Sequence, residues 1–253
     1  MESALTLGRC AARLAVALLA APVVAVGFVA PRPVGTASPN QTAISCPANL
    51  ADSLRSTANA SQLIVVEAPS LSSTTATVTL WQRTKVCFAE VGGPWPAWLG
   101  WHGLSSHHLE GDGTTPIGAF GIGSVMYGVA PNPGVAYPYH RLTCGDWWDE
   151  DPTTPSYNRF VYVLCETRPP FGGGSEALWT EVIAYRYFAV IDYNTEPIVP
   201  GRGSAIFLHV STGGTTNGCV GLAEPELVHT LRWLRPAAQP LVVIGTTGTL
   251  RFL

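Results

Sequence analysis

Two residues able to do covalent chemistry together stand ten positions apart in IFLHVSTGGTTNGCVGL, residues 206–222: His209 and Cys219. The thiolate is the reactive form of cysteine, and an ordinary thiol is mostly protonated at neutral pH. A nucleophilic Cys219 therefore needs a base or a positive field beside it. An imidazole has the right basicity for that work. Gly218 permits a tight turn before the cysteine and a helix opens shortly after it, so backbone N–H groups of the turn can face a developing oxyanion. The plain alternative is a histidine on a strand and a buried, inert cysteine on a turn, and spacing by itself does not separate the two.

The elements that must position this pair are mostly strands. SAIFLHVS is an apolar run ending at His209, which puts the ring at a sheet edge toward the returning turn. EPELVHTLRWL reads as the clearest helix: Pro225 suits its first turn, Glu224 and Glu226 suit its dipole, and Leu227, Leu231 and Leu234 share a face. PLVVIGTT returns as a strand. Upstream, QLIVVEAP, TATVTLWQR and KVCFAEVG read as a β-meander, and PWPAWLGW as an irregular aromatic stretch laid against the sheet. NLADSLRSTANAS has helical spacing of Leu50, Leu54 and Ala58. Residues 125–180 read as loops around one strand, RFVYVLCE, and WTEVIAYRYFAVIDYN as a central strand. The expected class is mainly β, a mixed sheet or sandwich with a short helix after the cysteine.

Composition narrows the function. Only 12% of residues are charged, with no long Lys/Arg run, which excludes a phosphate-tracking nucleic-acid surface. Arg9 and Arg13 precede LAVALLAAPVVAVGFVA, an apolar stretch broken by Pro22 and Gly27 and short for a membrane span. Residues 1–37 read as a signal peptide cut somewhere in 27–37, or as a retained N-terminal membrane anchor if uncut. Residues 38–61 read as a Pro/Ser/Thr/Ala-rich spacer with a short helix, and 62–253 as the working domain. Cutting after Ala37 removes three basic residues and one acidic, leaving a chain two charges more negative than the whole-chain −3. That argues against simple adhesion to anionic lipid. Export makes disulfides durable. Cys10 leaves with the signal, and five cysteines remain whose connectivity the sequence does not fix; pairing Cys46 with Cys87 and Cys144 with Cys165 would close two local loops and leave Cys219 as the unpaired thiol.

Other constellations are weaker. His102, His107, His108, Glu110 and Asp112 crowd together, but neighbours on a strand face opposite ways and no metal-ligand spacing is present, which favours a structural role. Gly111-Asp112-Gly113 lacks the lysine of a phosphate loop and reads as a hairpin turn. GGGS at 172–175 reads as a flexible loop, and there is no Gly-x-Ser-x-Gly elbow. Trp147, Trp148 and the group from Trp95 to Trp101 can stack on sugars but more often pack cores.

GDGTTPIGAFGI, then SAIFLHV, then TNGCVGL followed by a helix and PLVVIG resembles the L,D-transpeptidase catalytic domain (YkuD) of bacterial cell-wall enzymes. The matching positions are Gly111, Asp112, Gly113, Thr115, Pro116, Gly118 and Phe120, then His209, then Thr216, Gly218, Cys219 and Val220, and they span roughly 62–246. The resemblance implies Cys219 as nucleophile and His209 as its base. Backbone N–H groups of Gly218 and Cys219 would serve the oxyanion, with Asn217, Thr216 and Ser211 as positioning residues. It implies donor and acceptor peptidoglycan stem peptides as substrates, a 3→3 cross-link with release of D-alanine, a carboxypeptidase side reaction with water, an extracytoplasmic, wall-associated location, and neither metal nor other cofactor. Three positions and one spacing depart from the family pattern. Asn217 stands where a histidine is usual, Gly221 where Arg or Asn is usual, Val210 where Ser or Gly is common, and the segment from His209 to Cys219 is short. Those departures open a second expectation, a wall-binding or scaffold protein that keeps the groove but turns over poorly. A metal hydrolase built around His107 is the third.

Overall fold

β-branched and aromatic residues fit the pleated, half-buried surface of a sheet, and this chain spends most of them there. The computed structural model describes residues 48–253 apart from Ala58 and Gly173. They belong to one unit, Ile44–Leu253. The expected signal peptide, its cleavage region and the first part of the expected spacer lie outside the described residues. In chain order the elements are α1 (Leu50–Ser53), β1 (Gln62–Ala68), β2 (Thr75–Arg83), β3 (Phe88–Trp98), β4 (Leu104–Ser105), β5 (Thr115–Pro116), β6 (Gly118–Phe120) and β7 (Ile122–Gly128). There follow β8 (Tyr139–Arg141), β9 (Asp146–Asp149), β10 (Arg159–Tyr162), β11 (Glu176–Ala177), β12 (Phe188–Ile191), β13 (Phe207–Val210), β14 (Val220–Leu222), α2 (Glu224–Trp233) and β15 (Leu241–Thr246).

Ten strands make one mixed sheet in the order β6-β15-β1-β2-β3-β14-β13-β12-β7-β8, and β10-β9-β11 form a small second sheet. The fold is mainly β, as the sequence implied. One face of the large sheet buries Ile64, Val78, Leu208, Val220, Leu222 and Ile244 against Leu227, Leu231 and Leu234 of the α2 region, the leucines that share a helical face. The opposite face, over β12 and β13, buries Phe188, Phe207, Trp148, Tyr185 and Leu178. A third cluster packs Ala51, Leu54 and Ala60 on Leu63, Val65 and Val243.

Several local expectations fail for tertiary reasons. PWPAWLGW is not irregular: its first half continues β3 to Trp98. β14 pairs with β3 only at Ala97 and Trp98, so Pro94 and Pro96 lie along an open edge where a missing N–H breaks no ladder on that side. WTEVIAYRYFAVIDYN is strand only over Phe188–Ile191, because two 3₁₀ turns, Leu178–Thr180 and Ala184–Arg186, precede it. Between them Val182 and Ile183 are 59% and 61% exposed, so their β-propensity finds no sheet to join. The helix expected through Ala58 stops at Ser53, since the Arg55 and Ser56 N–H groups donate instead to the Leu253 carbonyl at 2.8 and 2.7 Å. The Gly-Asp-Gly stretch is no hairpin turn, because β4 and β5 on its two sides pair in parallel, Leu104 with Thr115.

Cys144 and Cys165 form a disulfide, as paired in the sequence reading. Cys87 is also disulfide-bonded, while Cys46 lies outside the described residues. The Cys144–Cys165 bond closes a loop with a sequence separation of 21 around β9 and β10. We expect replacing both cysteines by alanine to cost about 3 kcal/mol through regained loop entropy, read as a lower Tm with an unchanged far-ultraviolet spectrum. An unshifted Tm would show that β9 and β10 hold their positions without the link.

Candidate active site

Strand pairing places Cys219 and His209 on neighbouring strands, where both line one cleft. β13 and β14 run parallel, with Leu208 opposite Val220 and His209 opposite Gly221. Side chains alternate across a sheet, so Leu208, Val210, Val220 and Leu222 enter the α2-side core while Phe207, His209 and Cys219 take the other face. Cys219 is 8% exposed and His209 7%. Among the described residues Cys219 is the free cysteine.

The turn before the cysteine is braced by Thr216. Its hydroxyl donates to the Cys219 carbonyl at 2.7 Å and accepts from the Gly218 N–H at 3.1 Å. Its backbone is pinned to the strand end of β3, with Thr216 N–H donating to Leu99 O at 2.9 Å and Trp101 N–H to Thr216 O at 3.0 Å. Gly218 has φ +130°, and a Cβ there would lie 2.8 Å from Thr114 O and 3.0 Å from Ile206 Cδ1, so only glycine fits. The Gly218 N–H is thus engaged by Thr216 Oγ1. Ser211 is also committed within its loop: its hydroxyl accepts from the Gly213 N–H at 3.0 Å. Asn217 is exposed, and its side chain faces the clefts on both sides of the thiol.

The thiol donates to Ala205 O at 3.2 Å and accepts the Phe207 N–H at 3.3 Å. Ala205 sits in the left-handed region at φ +53°, held by its N–H on Asn158 Oδ1 at 3.1 Å. Backbone strain of this kind persists only where surroundings over-determine it, often at functional sites. His209 Nδ1 lies 2.8 Å from Val210 O; a carbonyl only accepts, so Nδ1 carries the proton and Nε2 is left as the basic nitrogen. Burial lowers the His209 pKa, which keeps the imidazole neutral. Burial pushes the Cys219 thiol far up, aided by the Glu176 and Glu150 carboxylates and opposed by the Phe207 N–H. Burial thus favours a neutral thiol and a neutral imidazole.

Two clefts meet at Cys219. One is lined by Trp101, His108, Glu110, Glu150, Glu176 and Asn217, the other by Trp101, Glu176, Tyr185, His209, Thr216 and Asn217. Trp101 is 47% exposed and lies over Gly113, where a Cβ would fall 2.3 Å from the indole. Tyr185 meets His209 edge-on at 6.0 Å and donates its hydroxyl to Glu176. Sequence reasoning missed Tyr185, Glu150 and Glu176, which lie in stretches without a motif, and it set His108 aside. His102, His107 and His108 separate: His102 Nδ1 meets Asp112 O, His107 Nδ1 meets Ser106, and His108 Nδ1 meets Asp112 and Thr114. Among the described residues no group of three His, Cys, Asp or Glu is placed to hold a metal ion.

Glu150 is the electrostatic outlier. Burial, then Glu176, Glu110 and Asp149, raise its pKa to about 9, and its Oε1 is buried without a hydrogen-bond partner. A raised folded pKa gives stability that is complete below the unfolded value near 4.5 and lost as pH climbs toward 9. We expect Glu150→Gln to flatten the decline of Tm between about pH 5 and 9, gaining about 1–3 kcal/mol at the alkaline end. An unchanged slope would show that Glu150 ionises freely.

The YkuD family model, the L,D-transpeptidase catalytic domain, matches residues 74–244, a span that holds the Gly-Asp-Gly loop, His209 and Cys219. Neither a curated protein nor a solved structure matches the chain. The matched span covers well over half of the sequence, so the chain belongs to the YkuD family of L,D-transpeptidase catalytic domains, which carries L,D-transpeptidase-type activity on peptidoglycan peptides.

Proposed function

We propose that the chain is an exported cysteine transpeptidase that forms a Cys219 acyl-enzyme on a peptidoglycan stem, releases D-alanine and passes the acyl group to a second stem. The observation that carries this reading is a free thiol on the same sheet face as an imidazole whose tautomer leaves Nε2 basic, at the meeting point of two clefts. One cleft suits a donor strand and the other an acceptor. Residues 62–253 would be the catalytic domain behind a signal peptide at 1–37 and a spacer at 38–61, acting outside the cytoplasm, where the Cys144–Cys165 bond is durable.

In the first half-reaction the thiol proton passes to His209 Nε2 as sulfur attacks the carbonyl of the diamino residue. The carbonyl oxygen takes the negative charge, the C–N bond to D-alanine breaks, and the imidazolium returns its proton to the leaving amine. Gly218 has no free N–H to offer, so the oxyanion falls to the Cys219 N–H and the Asn217 side-chain amide. Thr216 and Ser211 hold the turn and its loop rather than the substrate. In the second half-reaction an amine attacks the thioester and the thiolate leaves. Water in the amine's place gives the carboxypeptidase outcome.

The raised thiol pKa, with Asn217 and Gly221 in altered motif positions, favours one competing reading: a wall-binding protein with the same groove and little turnover. Mass spectrometry of the purified protein with a disaccharide-tetrapeptide separates the two. We expect a dimer lacking one D-alanine, absent with Cys219→Ala and reduced about 10²-fold or more with His209→Gln, both variants keeping a wild-type Tm within a few degrees. Binding of the muropeptide with neither acyl-enzyme nor product would establish the scaffold instead.

A further inference from the structure

His209 is not the only imidazole at the thiol. His108 is 3% exposed, and its Nδ1 lies 2.9 Å from Asp112 Oδ1 and 3.0 Å from Thr114 Oγ1. The Asp112 carboxylate is itself fixed, accepting the Leu109 N–H on Oδ2 and the Thr114 N–H on Oδ1, each at 2.8 Å. A carboxylate so held takes the Nδ1 proton as its hydrogen-bond donor and leaves Nε2 as the basic nitrogen. Nε2 has no hydrogen-bond partner among the described residues. The ring lies over Gly203, where a Cβ would come 2.4 Å from Nε2, and its Cε1 stands 3.5 Å from the Cβ position of Gly218, the residue before the nucleophile. Both glycines leave room that the ring fills. His108 and Cys219 line one cleft together, His209 and Cys219 the other.

We propose that His108, oriented by Asp112, is the base that receives the proton of the incoming amine during acyl transfer, in the cleft on the other side of Cys219 from His209; this rests on the acyl-enzyme reading above. The ammonium gives one proton to His108 Nε2, and the freed lone pair of the nitrogen forms the new C–N bond to the thioester carbonyl. The C–S bond then breaks with its electron pair on sulfur, the nitrogen's remaining surplus proton passes to the thiolate, and solvent takes the proton from His108. Glu110 and Glu176 line the same cleft and draw an ammonium toward it. The groups facing His108 are Asp112 and Glu110 from its own loop, Tyr193 edge-on at 5.2 Å, and Glu150 and Glu176 across the cleft. Burial lowers the His108 pKa while Asp112 and Glu110 oppose it, which leaves a neutral base at neutral pH.

The test follows the two half-reactions separately in His108→Gln. Intact-mass measurements give the rate of acyl-enzyme formation with a tetrapeptide donor, and of its capture by a second stem bearing a side-chain amine. We expect acylation near the wild-type rate, capture slowed about 10²-fold with acyl-enzyme accumulating, and loss of the acidic limb in the pH profile of capture. Hydroxylamine, unprotonated at neutral pH, should capture the acyl group equally fast in wild type and variant. Stem capture at the wild-type rate would overturn the proposal. So would an equal slowing of acylation, stem capture and hydroxylamine capture, since that marks a structural role. If the wild-type protein never acylates, the transpeptidase reading itself falls, and this inference with it.

Discussion

The site depends on one pairing, β13 beside β14 in parallel. Adjacent parallel strands usually need a crossover of a dozen or more residues, often a helix, yet here residues 211–219 alone carry the chain back. So short a return works because its far end is tied to other elements. Thr216 bridges to Gly100, and Gly100 N–H donates to Thr115 Oγ1 at 2.8 Å beside the Gly-Asp-Gly loop. The turn that holds Cys219, the end of β3 and the loop around Asp112 are therefore a single hydrogen-bonded assembly. Small residues at its contacts follow from this closeness: at Gly100 a Cβ would sit 2.3 Å from Gly113 O, and at Gly218 it would press on Thr114 O.

The same packing explains the site's electrostatics. Turning Cys219 onto the face of Phe207, Tyr185 and Phe188 removes it from water, and low polarity penalises a thiolate more than a thiol. The nearby carboxylates of Glu150 and Glu176 add to that penalty. A neutral imidazole and a neutral thiol can share such a place without the cost of an unpaired buried charge.

Parts of this were legible in advance. The helix from Glu224, the strands at 62–68, 75–83 and 241–246, and the Cys144–Cys165 link all follow from local pattern or cysteine arithmetic. What misled was context. Val182 and Ile183 have strand propensity and no strand, and Pro96 has breaker chemistry and lies in a strand. His108 looked structural because a residue's neighbours in sequence say nothing about a cysteine more than a hundred positions away.

The sequence by itself determined the kinds of group on offer: a thiol, an imidazole, small residues for tight turns, and strand-forming segments with the right alternation. Those are set by side-chain type and by periods of two or a few residues, which act locally. Only the tertiary structure decided which N–H groups remain free, how far burial shifts the thiol and imidazole, and which imidazoles and carboxylates share a cleft with Cys219. These depend on long-range strand register and on exclusion of water, and neither can be read from neighbours along the chain.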